Sequence, residues 1–173
     1  VREIIGPTTA LMVDYNQSLD VAEARRRIAA LEPFDLTWVE EPVANEDLRG
    51  HARVRAGSPI PIQTGENWWF PRAMAEAVAA GASDLAMLDV MKIGGVTGWL
   101  AAAAQAEAAG LPVSSHIFVE ASAHLLAVTP TAQYLEWLNS AASLLRDPLV
   151  AERGRVTARG PGLGVGGAQA GGK

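Results

Sequence analysis

The sequence contains no cysteine and only two lysines, Lys92 and Lys173, against twelve arginines. Without cysteine neither a disulfide framework nor a thiolate metal site can form, which fits a cytoplasmic protein. No apolar run reaches the roughly 18 residues of a membrane-spanning helix, and no signal-peptide pattern opens the chain. We therefore expect a water-soluble protein with no membrane partner.

Positive charge is also scarce, since the formal net charge is −5. A nucleic-acid partner calls for a basic face, so we expect none. A small anionic substrate stays compatible with this balance, because a bound cation reverses the local field. About half of the 173 residues are hydrophobic, which is enough for the core of one ordinary domain.

Short apolar stretches recur along the chain at intervals of about 20 to 27 residues. Between them lie segments with helical features, such as 19–31, 71–81 and 98–110, of which the last two end on glycine. Strands that alternate with helices of this size predict βαβ units and a parallel sheet. Each apolar stretch closes on an acid or a histidine: Asp14, Glu40, Glu66, Asp89, His116 and Glu136.

These closing residues favour one parallel architecture over another. In a doubly wound sheet ligands lie near the switch point in strand order, whereas in a (β/α)₈ barrel all C-terminal strand ends meet at one mouth. Any single acid is also explained as a helix N-cap, but six in register favour the barrel. Side chains alternate along a strand, so we expect Glu40 to point into the mouth and Glu41 away from it.

Asp14, Glu40 and Glu66 would present three carboxylates from neighbouring strands. Three anions so close destabilise each other unless they are protonated or bridged by a cation. Such oxygen ligands suit Mg²⁺, with Mn²⁺ as a substitute. The alternative is that the three are separate capping or salt-bridging acids.

Asp89 and His116 follow successive later strands. An aspartate beside a histidine fixes its tautomer and supports the imidazolium, which makes a general base near neutral pH. Glu136 follows apolar residues of the last strand, where a carboxyl group can stay protonated and donate a hydrogen bond; an ordinary helix-face glutamate is the alternative. The other two histidines, at 51 and 124, are expected in helices without a role, and both tryptophans at 68 and 69 are expected to pack.

Five segments together resemble the mandelate racemase branch of the enolase superfamily: "VDYNQSLDV", "WVEEP", "GENW", "LDVMKIGGVTGW" and "SSHIFVEASAHLLAVTPTAQYLEWL". The resemblance implies that Asp14, Glu40 and Glu66 bind Mg²⁺ and that Asn16 lies near substrate and metal. It further implies that His116 is one catalytic base, with Asp89 as its partner. Asp89 also points to the mandelate racemase branch, because the muconate-lactonising branch is expected to carry a lysine at this place.

By the same resemblance, Glu136 donates a hydrogen bond to the substrate carboxylate as it becomes an enediolate. The implied reaction is abstraction of the proton α to a carboxylate, with racemisation of a small 2-hydroxy acid. Lys92, in "MKIGG", is common to many members of the family and is taken either as structural or as a support behind the residues that contact metal and substrate. Acid-sugar dehydration in the same superfamily is the alternative reaction, and an inactive fragment that binds metal or an anion is the alternative without turnover.

The resemblance also predicts how the chain is organised. Residues 1–155 would form an incomplete TIM-type (β/α)₈ barrel, strands 3 to 8, followed by a glycine-rich tail at 156–173 with little ordered packing beyond about Gly164. The capping domain, the first two strands and the family's Lys-x-Lys base are not found in this sequence, which opens at Val1. For a full-length parent, homo-oligomers would be compatible with the fold.

Overall fold

The computed structural model describes residues 1–167, in which six parallel strands alternate with α-helices. The strands are β1 (Met12–Asp14), β2 (Trp38–Glu40), β3 (Ile62–Thr64), β4 (Leu85–Asp89), β5 (Val113–His116) and β6 (Ala132–Leu135). The helices are α1 (Arg2–Ile5), α2 (Val21–Leu31), α3 (Leu48–Ala56), α4 (Phe70–Ala80), α5 (Gly95–Ala109) and α6 (Val119–Ala127).

Strand order decides between the two parallel architectures. The strands pair in the order of the sequence, β1 to β6, and each neighbouring pair is parallel. A doubly wound sheet needs a reversal in that order, and the sheet has none within residues 1–167. The predicted fold is therefore confirmed: an α/β chain that forms an incomplete TIM-type barrel.

Local signals place the helix boundaries close to those expected. The carboxylate of Asp20 accepts a hydrogen bond of 2.8 Å from the backbone N–H of Glu23 and caps α2. Helices α4 and α5 end at Gly81 and Gly110, which adopt left-handed φ values of 63° and 67°. Of the helices in the described part of the chain, none is long and apolar enough to cross a bilayer.

The outward-facing sides of the strands pack against the helices in two apolar clusters. One contains Ile28, Val39 and Ile62, and joins α2 and α3 to the first three strands. The other is built around Trp99 and Leu88, and joins α4 and α5 to the later strands. Because both clusters lie on the helix side, the opposite side of the sheet is left to line the barrel interior.

Two features of the described chain, the Trp68–Trp69 pair and the glycine-rich tail, differ in part from expectation. Trp68 is buried as expected, but Trp69 is 61% exposed and contacts only Phe70 among aromatic neighbours in the described residues. In the predicted glycine-rich tail, the carbonyl of Gly166 accepts a 2.8 Å hydrogen bond from the Arg146 N–H, so backbone pairing extends beyond Gly164. Residues 168–173 of that tail lie outside the described part of the chain.

Candidate active site

The six residues singled out in the sequence all lie at the C-terminal ends of strands. Four of them are the last residues of their strands, and the register pairs Asp14 with Glu40 and Asp89 with His116. Glu136 directly follows β6, and Glu66 lies two residues beyond β3. Parallel strands carry all these ends to one edge of the sheet, so the predicted common mouth is present.

A cavity of about 320 Å³ opens on the interior side of this mouth. It is lined from both ends of the sheet, by Asp14 of β1 and Glu136 after β6, and by Glu40 between them. Apolar and hydroxyl side chains complete the lining, among them Met87 and Ser114. Its size and its few convergent polar groups suit a small molecule.

His116 and Asp89 form a hydrogen-bonded pair. The Nδ1 of His116 lies 2.7 Å from Oδ2 of Asp89, whose side chain is only 3% exposed. The other carboxylate oxygen of Asp89 accepts bonds from the N–H groups of Met91 (2.7 Å) and Lys92 (2.9 Å). Because the aspartate is the acceptor, Nδ1 carries the hydrogen, and Nε2 on the far edge of the ring is left to accept a proton.

Glu66 connects this pair to the carboxylates. Its Oε2 lies 3.4 Å from Nε2 of His116, and its Oε1 accepts a 3.0 Å hydrogen bond from Nδ2 of Asn67. The side chains of Glu66 and His116 are 16% and 19% exposed, so water reaches both only in part. A carboxyl group and an imidazole ring thus face each other at the edge of the mouth.

Glu40 is buried in the barrel interior. Its Oε2 accepts hydrogen bonds from Nε1 of Trp38 (3.3 Å) and Nε2 of Gln63 (3.1 Å). The pKa of Glu40 is raised to about 8, mainly by burial and in part by the nearby charges of Asp14 and Glu66, against the opposing hydrogen bonds from Gln63 and Trp38. The three expected metal ligands therefore lie close enough to repel each other.

Glu41 does not point away from the mouth, and that expectation is wrong. It is buried, and its Oε2 accepts a 2.8 Å hydrogen bond from Nδ2 of Asn67, which also contacts Glu66. Burial, followed by the charge of Glu66, raises the pKa of Glu41 to about 7. Strict alternation fails here because β2 ends at Glu40 and Glu41 adopts a φ of 32°, which is outside the extended range.

Asp14 and Asn16 lie at the exposed side of the mouth. The backbone N–H of Asn16 donates a 2.7 Å hydrogen bond to Oδ1 of Asp14, and its side-chain amide donates to Oδ2. Asn16 has a φ of 45°, a conformation that asparagine tolerates better than most residues. The amide of Asn16 therefore lies beside a predicted metal ligand, where the resemblance places it.

Glu136 is held from the backbone of the neighbouring loop. Its Oε2 accepts a 2.8 Å hydrogen bond from the N–H of Ile117, directly after His116. Ile117 and Phe118 have φ values of 36° and 48°, which are strained for these residue types. This turn places the carboxyl group of Glu136 against the backbone that directly follows His116, and among the described residues only one of its two oxygens takes a hydrogen bond.

The chemistry of these residues fits a hard cation. The three predicted ligands offer only oxygen atoms, and Oε1 of Glu41 is buried without a hydrogen-bond partner. As they stand in residues 1–167, no three acid or histidine side chains form a group that could hold a metal ion. Each carboxylate instead takes hydrogen bonds from its neighbours, so a bound ion would have to draw Asp14, Glu40 and Glu66 together.

Sequence reasoning missed the donors that hold the carboxylates. Trp38 and Gln63 contact Glu40, and Asn67 contacts both Glu41 and Glu66. A glutamine within the apolar stretch "IPIQT" is a sequence signal for a polar group that faces the barrel interior. No signal in the sequence connects Asn67 to Glu41, because that contact joins different loops.

Comparison with known proteins places these observations in a family context. A family model described as enolase C-terminal domain-like matches residues 1–169. D-galactarolactone cycloisomerase of Agrobacterium fabrum is 35% identical over 95% of this chain and 48% of its own length. L-talarate/galactarate dehydratase of Salmonella typhimurium is 36% identical over 80% of this chain and 36% of its own length.

A solved structure is more similar still. It is a Bradyrhizobium protein described as an enolase, complexed with magnesium and mandelic acid, with 63% identity and a TM-score of 0.95. The match covers 96% of this chain and 46% of that protein, so the chain spans about half or less of the length of these relatives. The matches include dehydratases, cycloisomerases and racemases alike.

Proposed function

This chain belongs to the enolase C-terminal domain-like family, and on that premise we propose that it removes the proton α to the carboxylate of a small 2-hydroxy acid with the help of Mg²⁺. The observation that carries the proposal is the His116–Asp89 pair, with Nδ1 bound at 2.7 Å and Nε2 turned toward Glu66. A base in this arrangement accepts a proton at Nε2 while Asp89 stabilises the resulting imidazolium.

The carboxylates would hold the metal ion that stabilises the charge created by proton removal. Removing the α-proton puts a second negative charge on the substrate carboxylate, which is why the uncatalysed reaction is slow. Bound at Asp14, Glu40 and Glu66, Mg²⁺ would neutralise part of that charge. Glu136 would donate a hydrogen bond to the same group from its free oxygen, and Asn16 would help to orient the substrate beside Asp14.

A 2-hydroxy acid of the mandelate type is the substrate class that the comparisons favour. The 63% identical Bradyrhizobium protein holds magnesium and mandelic acid, a carboxylate with a hydroxyl group and an acidic C–H on the same carbon. The proposed step breaks that C–H bond, moves its electron pair into the carboxylate as an enediolate, and places the proton on His116. Returning a proton from His116 to the same face restores the starting acid.

Dehydration of an acid sugar is the second candidate, favoured by the 36% identity to L-talarate/galactarate dehydratase. It begins with the same proton transfer. The electron pair of the enediolate then forms a C=C bond as the hydroxyl group on the next carbon leaves as water, taking the proton that His116 would hold. Both reactions use His116 and Asp89 in the same way. They differ in whether the product retains the hydroxyl group.

The proposal is tested by incubating the purified chain with Mg²⁺ in D₂O and following the α-proton of each mandelate enantiomer by NMR. The sequence contains no Lys-x-Lys pair to serve the opposite face. We therefore expect one enantiomer to exchange without appreciable racemisation. His116→Asn should abolish the exchange, whereas His124→Asn, on α6 outside the mouth, should preserve it.

A parallel incubation with galactarate separates the two reactions, because a dehydratase would form a keto acid while a racemase would not. Exchange that survives in His116→Asn would contradict the assignment of the base. Mg²⁺ binding by a folded chain that exchanges neither substrate would instead support a metal-binding chain without turnover.

A further inference from the structure

Lys92 contacts both halves of the proposed site. Its backbone N–H donates a 2.9 Å hydrogen bond to Oδ1 of Asp89, the partner of the base. Its side chain extends the other way, and Nζ donates a 2.7 Å hydrogen bond to Oδ1 of Asn67. Since Lys92 is half-buried, this charge-assisted bond is only partly screened by water.

The contact with Lys92 determines which way the Asn67 amide faces. Its Nδ2 donates to Oε2 of Glu41 (2.8 Å) and to Oε1 of Glu66 (3.0 Å), so both hydrogens are used. The reversed amide would place its oxygen against two carboxylates and its hydrogens against an ammonium group. Lys92 therefore makes one orientation of Asn67 strongly preferred, and that orientation joins two acids that otherwise repel each other.

These hydrogen bonds, together with the close approach of Glu66 to His116, close a ring that we call the Lys92 ring, formed by Lys92, Asn67, Glu66, His116 and Asp89. Glu66 completes it, because its Oε2 lies 3.4 Å from Nε2 of His116, whose Nδ1 bonds to Asp89. The ring runs through a predicted metal ligand and through the predicted base. Any rotation of Asn67 would shift Glu66 relative to His116.

We propose that Lys92 and Asn67 are positioning residues, which hold Glu66 at a set distance from His116 and oriented for the metal. Resting on the proposed function above, this inference adds two residues that touch neither the base nor the substrate carboxylate. Lys92 acts through Asn67, and Asn67 acts through Glu66, with Glu41 as the second group that it restrains. Hydrogen-bond partners of metal ligands typically contribute 10- to 100-fold in affinity or activity.

The sign of the effect distinguishes positioning from simple charge. If Lys92 acted only as a nearby cation, its removal would strengthen Mg²⁺ binding, because one repulsive charge would be gone. If it acts by holding Asn67, its removal should weaken binding, because Glu66 is no longer held. The two roles therefore predict opposite changes for the same variant.

A double-mutant cycle on the purified 173-residue chain tests this. We expect Lys92→Met and Asn67→Leu each to weaken Mg²⁺ binding about 10- to 100-fold in titration calorimetry. The double variant should be no weaker than the worse single variant by more than about twofold, since residues that act as one unit are not additive. Arg49→Met, which removes an exposed cation of α3 outside the ring, should leave binding unchanged.

A readout without metal is supplied by the side-chain amide signals of Asn67 in ¹H–¹⁵N NMR spectra. They should shift and exchange faster with water in Lys92→Met, and stay in place in Arg49→Met and largely in Lys92→Arg. Circular dichroism of each variant checks that the fold persists. This measurement is independent of Mg²⁺ and of turnover.

Three results would each overturn the inference. They are tighter Mg²⁺ binding by Lys92→Met, additive losses of Mg²⁺ affinity in the double variant, and Asn67 amide signals that are unchanged in Lys92→Met. Failure of the proposed function would look different. Wild-type chain would then show neither α-proton exchange nor dehydration, while the Asn67 signals would still respond to Lys92.

Discussion

Two adjacent glutamates at the end of β2 show how a single backbone angle changes the composition of a site. Glu40 enters the barrel interior and takes hydrogen bonds from Trp38 and Gln63. Glu41 would face the helices if the strand continued, but its φ of 32° returns its carboxylate to the edge where Asn67 lies. The mouth therefore holds one more acid than alternation predicts, and both carboxyl groups have raised pKa values because they are buried.

His51 is the residue with the clearest expected effect of pH on stability. It is buried on α3, its Nε2 has no hydrogen-bond partner in the described residues, and burial lowers its pKa from 6.5 despite the opposing effect of Asp47. Below pH 6.5 the unfolded chain binds a proton that the folded chain resists. The free energy of unfolding should therefore fall as the pH drops, by up to about 1.4 kcal/mol per pH unit until the lowered pKa is reached.

Urea denaturation between pH 7.5 and 5 measures this slope. In His51→Gln, which has no imidazole to protonate at this site, the slope should be reduced by that contribution. An unchanged slope would show that His51 takes up its proton as readily in the folded chain as in the unfolded one.

At the scale of elements, the strands determine where each loop starts and the loops determine where the side chains point. Positive φ values at non-glycine residues gather directly after strand ends, as at Asn16, Gln17, Glu41, Ile117 and Phe118. Such conformations cost roughly 1 to 3 kcal/mol each and persist only where surrounding contacts enforce them. Helix contacts and strand pairing supply that enforcement, so the strain is concentrated where the proposed chemistry occurs.

Gly65, between β3 and Glu66, offers a test at this scale. Its φ is 137°, and a Cβ there would lie 2.7 Å from the carbonyl oxygen of Met87 and 3.0 Å from Trp68. Gly65→Ala should therefore lower the free energy of unfolding by more than about 2 kcal/mol and weaken Mg²⁺ binding through a displaced Glu66.

Gly110→Ala is the matched control, because Gly110 also has a positive φ of 67° but nothing lies within 4 Å of its Cβ position. It should cost only about 1 to 2 kcal/mol and leave Mg²⁺ binding unchanged. Denaturant melts compare the loss in the free energy of unfolding between the two variants, and calorimetry compares their Mg²⁺ affinity. Equal losses would mean that the contacts with Met87 and Trp68 relax freely.

The whole molecule is an open arc of six strands with the proposed site distributed along its inner edge. In the described residues β1 and β6 each pair with one strand only, and the cavity is lined from both of them. The acids of β1, β2 and the loop after β3 follow the curved edge of the sheet, and in residues 1–167 a bound ion would have to draw them closer together. A cation bound among them would connect three successive βα units.

Mg²⁺ should therefore stabilise the folded chain as a whole. A ligand that binds only the folded state at 100 times its Kd contributes about 2.7 kcal/mol, which for this size raises the Tm by roughly 5 to 10 °C. Glu40→Gln should remove that increase. The same change should raise the Tm of the metal-free chain, because a neutral amide accepts the bonds from Trp38 and Gln63 without the cost of either protonating or burying a carboxylate.

Thermal melts followed by circular dichroism, with and without Mg²⁺, measure both effects, and Ca²⁺ serves as a second divalent cation for comparison. A Tm of the wild-type chain that does not respond to Mg²⁺ would contradict binding at these three carboxylates. A Glu40→Gln variant that still responds would place the ion elsewhere.

The periodic pattern of the sequence was sufficient to predict the alternation of strands and helices, because apolar stretches, caps and glycine stops are local signals. It also predicted that six polar residues end the strands, and strand order confirmed the barrel type. The same pattern paired Asp89 with His116, since parallel strands in register bring equivalent positions side by side. These features depend only on the spacing of residues along the chain, which can be read directly from the sequence.

Only the tertiary structure decided how the carboxylates are held. The bond of Asn67 to Glu41 and the reach of Lys92 to Asn67 join residues 26 and 25 positions apart in sequence. The turn at Glu41 is local, but it departs from the strand alternation that the sequence predicts. Their geometry follows from how tightly neighbouring loops pack and from backbone angles that no local preference favours. The sequence by itself therefore determined the six groups that end the strands, and the packing of the loops decided that Glu41 joins them and which groups touch.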